Sequence, residues 1–258
     1  MNKSLFSPSA IHGVLLAALV LGSAQASAAE LIQNGGFEAD GAVSYSPIGW
    51  SVAEAGGSNA VAAADFALAD ATGYATSGAA AGSYFGHIDV FTAGAFALSQ
   101  SFSTGAVSQA TLSFKMFIND QSANGIAYTG NSLNYDLGTN GGQDMHYARV
   151  DILKAGADSF ATGPADVVQT LYLGGANGRK FGDQSNSYVN YTYDLSNTLA
   201  AGGNYTLRFA AASNVAQMQL GLDNVSLQVT AVPEPESYAM LLAGLGIIGA
   251  ISRRRNRA

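Results

Sequence analysis

The chain has 258 residues, none of them Cys, with 48% hydrophobic and 11% charged positions. Ala supplies 46 of the 258 and Gly 31, but with 5 Pro, 12 Tyr and 12 Phe the composition excludes a collagen, a disulfide scaffold and a charged disordered chain. The formal charge is −7, yet Lys3 and Arg253, Arg254, Arg255 and Arg257 belong to the two ends, so 6 basic against 16 acidic residues leave the body between 30 and 230 near −10, without the clustered Lys and Arg that binding along a nucleic-acid backbone needs.

The first 28 residues read as a secretory signal. Lys3 is the only charge before Glu30, residues 14–21 form an unbroken apolar stretch, and Ala26-Ser27-Ala28 is a small-residue cleavage site. Eight apolar residues are too few for a hydrocarbon layer of about 30 Å, so a removed signal helix is expected here rather than an anchor. Export without Cys means that burial, or a metal, must supply the stability.

From 29 to 231 nearly every segment has strand character. In 109–119, Leu112, Phe114, Met116 and Ile118 share one face, opposite Ser113 and Lys115. In 145–154, Ala148, Val150 and Ile152 are expected inward, and Tyr147, Arg149 and Asp151 outward. Segments 188–196 and 203–212 alternate in the same way. Further strands are expected at 31–38, 49–53, 83–90, 95–103, 166–173 and 217–229, and the Ala-rich 60–71 has room for a helical turn. Roughly ten strands separated by Gly, Asn, Ser and Asp clusters predict one all-β domain, an antiparallel β-sandwich of the jelly-roll type. The Asn/Gly/Asp-rich stretch 119–144 is too long for a turn and is a candidate binding loop.

The last strand changes parity. Met218, Leu220 and Leu222 alternate on even positions, and Val225, Leu227 and Val229 on odd ones. The slip at Asp223-Asn224 predicts a β-bulge that re-aims Asp223.

Two terminal stretches of this body carry a resemblance. Leu31-Ile32-Gln33-Asn34-Gly35-Gly36-Phe37-Glu38 with Gly49-Trp50, and Asn204-Tyr205-Thr206-Leu207-Arg208-Phe209 with Gly221-Leu222-Asp223-Asn224-Val225-Ser226-Leu227, look like the opening and close of carbohydrate-binding-module-like, galactose-binding-like jelly rolls. The resemblance implies adjacent first and last strands and a structural Ca2+ held between them. It maps the carboxylates onto Glu38 and Asp223, each of which alternatively caps a turn. Ca2+ takes six to eight oxygen ligands, so two carboxylates plus turn carbonyls suit it.

Other chemistry is thin. A sugar face needs exposed rings to stack on pyranoses, and Tyr128, Tyr135 and Tyr147, in or beside the long loop, are the best placed. Phe37 and Trp50 read as core. His87 and His146, each near a single Asp, read as solvated side chains rather than metal ligands. There is no paired-carboxylate, G-x-S-x-G or Cys-nucleophile pattern. The stretch 174–180 lacks the Ser or Thr that a phosphate loop needs after its Lys and reads as a hairpin loop. The sequons at Asn190, Asn204 and Asn224 read as ordinary strand residues.

The C-terminal 232–258 carries an address. Val232-Pro233-Glu234-Pro235 is a stiff break, 238–251 is free of charge, and Arg253, Arg254 and Arg255 follow. This order resembles the PEP-CTERM sorting signal of Gram-negative bacteria, with Glu236 a mild departure. The resemblance implies recognition by an exosortase-type membrane protease, a transient stay in the inner membrane, and delivery to the cell surface or extracellular matrix, often alongside exopolysaccharide. The expectation is a non-enzymatic exported protein that associates with polysaccharide. The alternatives are a purely structural envelope protein and, less favoured, a secreted hydrolase.

Overall fold

In the structure, a computed structural model, residues 28–56, 62–64, 76–90, 92–120, 127–128, 133–135, 142, 144–174, 186–215, 217–232 and 235–255 are described. The signal segment before Ala28, most of 119–144, Pro233 and Glu234 lie outside them. The strands are β1 (Ala28–Glu30), β2 (Ser51–Gly56), β3 (Ala62–Ala64), β4 (Phe85–Val90), β5 (Gly94–Thr104), β6 (Val107–Asp120), β7 (Ala127–Tyr128), β8 (Met145–Lys154), β9 (Val167–Gly174), β10 (Val189–Asp194), β11 (Gly203–Ser213) and β12 (Met218–Ala231). A one-turn helix α1 (Ser196–Leu199) precedes β11, and α2 (Pro235–Arg255) follows β12.

These strands form two antiparallel sheets. Sheet 1 runs β10-β6-β12-β4-β3, with β1 also on β12; sheet 2 runs β2-β5-β11-β8, with β7 and β9 both on β8. From β4 to β6 the chain crosses between the sheets at each strand, and again from β9 to β12, as a jelly roll requires. The alternating residues set the faces. Leu112, Phe114, Met116 and Ile118 of β6 meet Ala148, Val150 and Ile152 of β8 and Leu207 and Phe209 of β11 in the inter-sheet core. Phe37 and Trp50 join that core, stacked at 5.3 Å.

The outer faces depart from simple alternation. Tyr147, Arg149 and Asp151 do point away from the core, but they are buried rather than solvated. Leu133, Tyr135 and Phe160 pack over the outer face of sheet 2, on a floor of Ala95, Ala97, Ala210 and Ala212. These four Ala make a shallow floor, flat enough for loops to lie on. Phe85 and Phe117 are covered on the outer face of sheet 1 by Ala79 and Tyr188. His87 is 4% exposed and His146 fully buried, so the expectation of solvated histidines is corrected.

Two expected elements differ. No strand occupies 31–38, because Asn34 and Phe37 adopt φ of 49° and 59° and a 3-10 turn follows at Glu38–Asp40. Within 60–71, the described 62–64 are strand, paired to β4 through Ala62↔His87.

Candidate functional site

The predicted bulge is present. Asp223 pairs with Lys115 and Ser226 with Ser113, so two residues of β12 oppose Phe114 alone. Asn224 absorbs the irregularity at φ 52°, a conformation that Asn tolerates better than most residues. The bulge turns Asp223 beneath the segment 80–84. Its Oδ2 accepts the backbone N–H groups of Ala80 and Ala81 at 2.7 and 2.9 Å, and its Oδ1 that of Asn224 at 2.6 Å. Glu38, on the 3-10 turn, grips the same segment, its Oε1 accepting from Ser83 and Tyr84 at 2.8 Å each. Gly36 lies between them, where a Cβ would sit 3.8 Å from Asp223 Oδ1 and 3.9 Å from Glu38 Cγ. The first and last segments therefore lie together, and the two named carboxylates hold one segment at neighbouring points, Asp223 at Ala80 and Ala81 and Glu38 at Ser83 and Tyr84.

Burial pushes the Asp223 carboxyl above the usual Asp range, and the Glu38 charge adds to this, while the three N–H donors work against it. Neither carboxylate forms an ion pair among the described residues. Two converging oxygen-donor groups without a counter-cation suit a hard cation. They would be only part of a Ca2+ shell, because no group of three or more His, Cys, Asp and Glu gathers among the described residues.

A third acid, Glu30, had no assigned role in the sequence. Its Oε1 accepts from Ile32 N–H at 2.7 Å and Leu227 N–H at 2.8 Å, and its Oε2 from the Gln228 amide at 2.8 Å. With Leu31 N–H donating to Leu227 O and Val225 N–H to Gly35 O, it straps the start of the body along β12. Only its place beside the strand start hinted at this.

The aromatic candidates separate. Tyr147 is fully buried, so its ring has no face for a sugar. Tyr135 is half-buried against the sheet 2 floor, its carbonyl accepting from Asn214. Tyr128 is on β7, and its side chain lies outside the described residues. Among the described residues the most open aromatic is Tyr45, 69% exposed, on a loop pinned by Asn34, Asp40 and Ile48.

Buried polar groups elsewhere act on the fold. His146 Nδ1 lies 2.8 Å from Ser213 Oγ, the reach of a base and nucleophile, but both are fully buried, so a substrate does not meet them. On the outer face of sheet 2, Asp151 accepts from Arg149 and Arg208, and Arg208 Nη1 donates to Ser159 O and Ala161 O. This cluster fastens the β8–β9 connection. Burial lowers the Arg208 pKa, with Asp151 opposing the shift.

The tail leaves the body cleanly. Val232 N–H donates to Ala106 O at 2.9 Å, and α2 begins three residues later at Pro235. Pro suits a first helical turn because its missing N–H would have no intrahelical partner there. The helix runs 21 residues, through Gly244, Gly246 and Gly249 and on through Arg253, Arg254 and Arg255, longer than the charge-free stretch alone. Leu242, Ile247, Ile248 and Ile251 on it are each more than half exposed. No described helix is long and apolar enough to cross a membrane.

Residues 231–256 match the PEP-CTERM protein-sorting motif, which covers the sorting residues named above and implies export and surface sorting. No curated protein matches the chain. Among solved structures, the chain is similar to TmCBM61 in complex with beta-1,4-galactotriose, at 13% identity over 77% of this chain and 97% of that one, TM-score 0.45. It is also similar to the Stig cyclase Fisc from Fischerella sp. TAU, at 15% identity over 80% and 100%, TM-score 0.45. A third is the K3 adhesin domain of Lys-gingipain from Porphyromonas gingivalis w83, at 11% identity over 79% and 98%, TM-score 0.45.

Proposed function

We propose that this is an exported, non-enzymatic surface or extracellular-matrix protein, released from a transient membrane stage by an exosortase-type protease, whose sandwich body associates with exopolysaccharide. The observation that carries the reading is the join between body and tail. Among the described residues, the last backbone bond of the body is made by Val232, the second residue of the span 231–256 that matches the sorting motif. Removal of everything beyond it leaves both sheets complete. The carbohydrate part is supported by the resemblance of the body's two terminal stretches to sugar-binding jelly rolls and by the exposed hydroxyls and amides on its strands, such as Ser101, Asn190 and Thr192. Printing polysaccharides, the host's own exopolysaccharide included, and probing them with the purified chain tests it. Binding to at least one polymer is expected; binding to none overturns it.

In this reading Glu38 and Asp223 also hold a structural Ca2+ that ties the two terminal stretches together. The ion would neutralise the paired carboxylates, and it has no catalytic part. Millimolar Ca2+ should raise the melting midpoint and EDTA lower it, with both effects lost in Glu38→Ala and Asp223→Ala. A midpoint indifferent to both reagents removes the metal and leaves the carboxylates as loop clamps.

A further inference from the structure

On the outer face of sheet 1, β10, β6 and β12 lie side by side, and their register gathers polar side chains. Asn190 stands opposite Lys115, and Thr192 opposite Ser113. Strand alternation turns these four away from the core that takes Leu112, Phe114 and Met116. Across the other edge of β6, the bulge presents Asn224, exposed and left-handed. Together with Phe114 and Tyr191, these five polar residues line a depression of about 250 Å³.

The five polar side chains share a second property: none makes a hydrogen bond or ion pair among the described residues. Lys115 has Asp223 as its cross-strand partner, yet Asp223 spends its oxygens on Ala80, Ala81 and Asn224. The strand backbones hold the five positions in register while their donors and acceptors stay uncommitted. Two carboxamides and two hydroxyls are groups that bind sugar hydroxyls in both directions. The ammonium adds a site for a carboxylate, in a body otherwise near −10. Clefts that enclose drug-sized ligands run to about 300–1,000 Å³, so this smaller depression suits one ring rather than a stretch of polymer.

We propose that this depression is a subsite for a uronate residue of an acidic polysaccharide, with Lys115 meeting the carboxylate and Ser113, Asn190, Thr192 and Asn224 the ring hydroxyls. The inference rests on the polysaccharide reading above and narrows it to one face and one sugar class.

Affinity electrophoresis of the full chain through gels carrying polygalacturonate, or neutral dextran, tests it. The wild-type chain is expected to be retarded by polygalacturonate. Lys115→Gln should weaken that retardation at least fivefold, Lys115→Gln with Asn190→Ala should abolish it, and Lys115→Arg should largely keep it. Melting midpoints establish that each variant is folded. Variants retarded as strongly as wild type by whichever polymer retards it would overturn the site while leaving the polysaccharide reading standing. Retardation by dextran alone overturns the acidic class. A wild-type chain retarded by neither polymer, nor bound to any printed polysaccharide, overturns both readings.

Discussion

Asp223 Oδ2 accepts the backbone N–H of Ala80 at 2.7 Å, across 143 positions of sequence. The contact ties the bulge of the last long strand to the segment leading into β4, and Ala81 and Asn224 complete the grip. Asp223→Ala would remove a buried acceptor from three part-buried N–H groups and is expected to lower stability by about 1–3 kcal/mol. Glu38→Ala, at an exposed position, should lower it by less. Hydrogen exchange checks the mechanism: the Ala80 and Ala81 amides should lose protection first in Asp223→Ala. Unchanged protection there would show that the carboxylate does not hold the segment.

Gly35 and Gly36 form a matched pair. A Cβ on Gly35 would meet the Val225 carbonyl oxygen at 1.8 Å, whereas one on Gly36 would meet nothing closer than 3.8 Å. Gly35→Ala should therefore cost about 2 kcal/mol or more, and Gly36→Ala little. Denaturant midpoints of the two variants decide the matter; equal effects would mean that the strap along β12 is looser than described.

The Asp151 cluster supplies a third test. Asp151, Arg149 and Arg208 are each at most 3% exposed. Asp151→Ala leaves two buried guanidinium groups without their carboxylate and is expected to cost about 3–5 kcal/mol. Limited proteolysis should then cut first in the 155–166 connection, which Arg208 fastens. Cutting elsewhere would contradict the role given to the cluster.

Alkaline pH acts through buried phenols. Burial first, then the Asp223 charge, holds the Tyr188 pKa far above its ordinary value. Burial and the neighbouring Tyr191 do the same for Tyr172. The folded values lie above the unfolded ones, so this part of the stability is intact below about pH 10 and is lost as pH rises further. The unfolding free energy should fall with pH beyond about 10, and less steeply in Tyr172→Phe with Tyr188→Phe. Equal slopes in variant and wild type would contradict the burial of these rings.

Strand alternation made the inter-sheet core legible, since 109–119 and 145–154 in the sequence lie within or coincide with β6 and β8. The parity change at Asp223-Asn224 revealed the bulge for the same reason: a period of two makes a one-residue slip visible. What alternation does not carry is what lies over a sheet's outer face. Tyr147 and Asp151 have the pattern of solvated residues, and only the packing of Leu133, Tyr135, Phe160 and the β8–β9 connection buries them. The segment 31–38 misled because its apolar start gives way to left-handed Asn34 and Phe37. The four polar residues around Lys115 were invisible as a group for a related reason. Serine, threonine and asparagine on a strand look like ordinary solvated positions until register sets them side by side.

The central claim is a body that sits in polysaccharide after its tail has served for sorting. It is tested most directly by fractionating producing cells before and after enzymatic removal of their exopolysaccharide and following the chain by immunoblot. The account predicts that the chain lies in the surface or matrix fraction, shortened at its C-terminal end, and passes into the soluble medium when the polysaccharide is degraded. Full-length chain retained in the cell, or surface retention that survives loss of the polysaccharide, would contradict it.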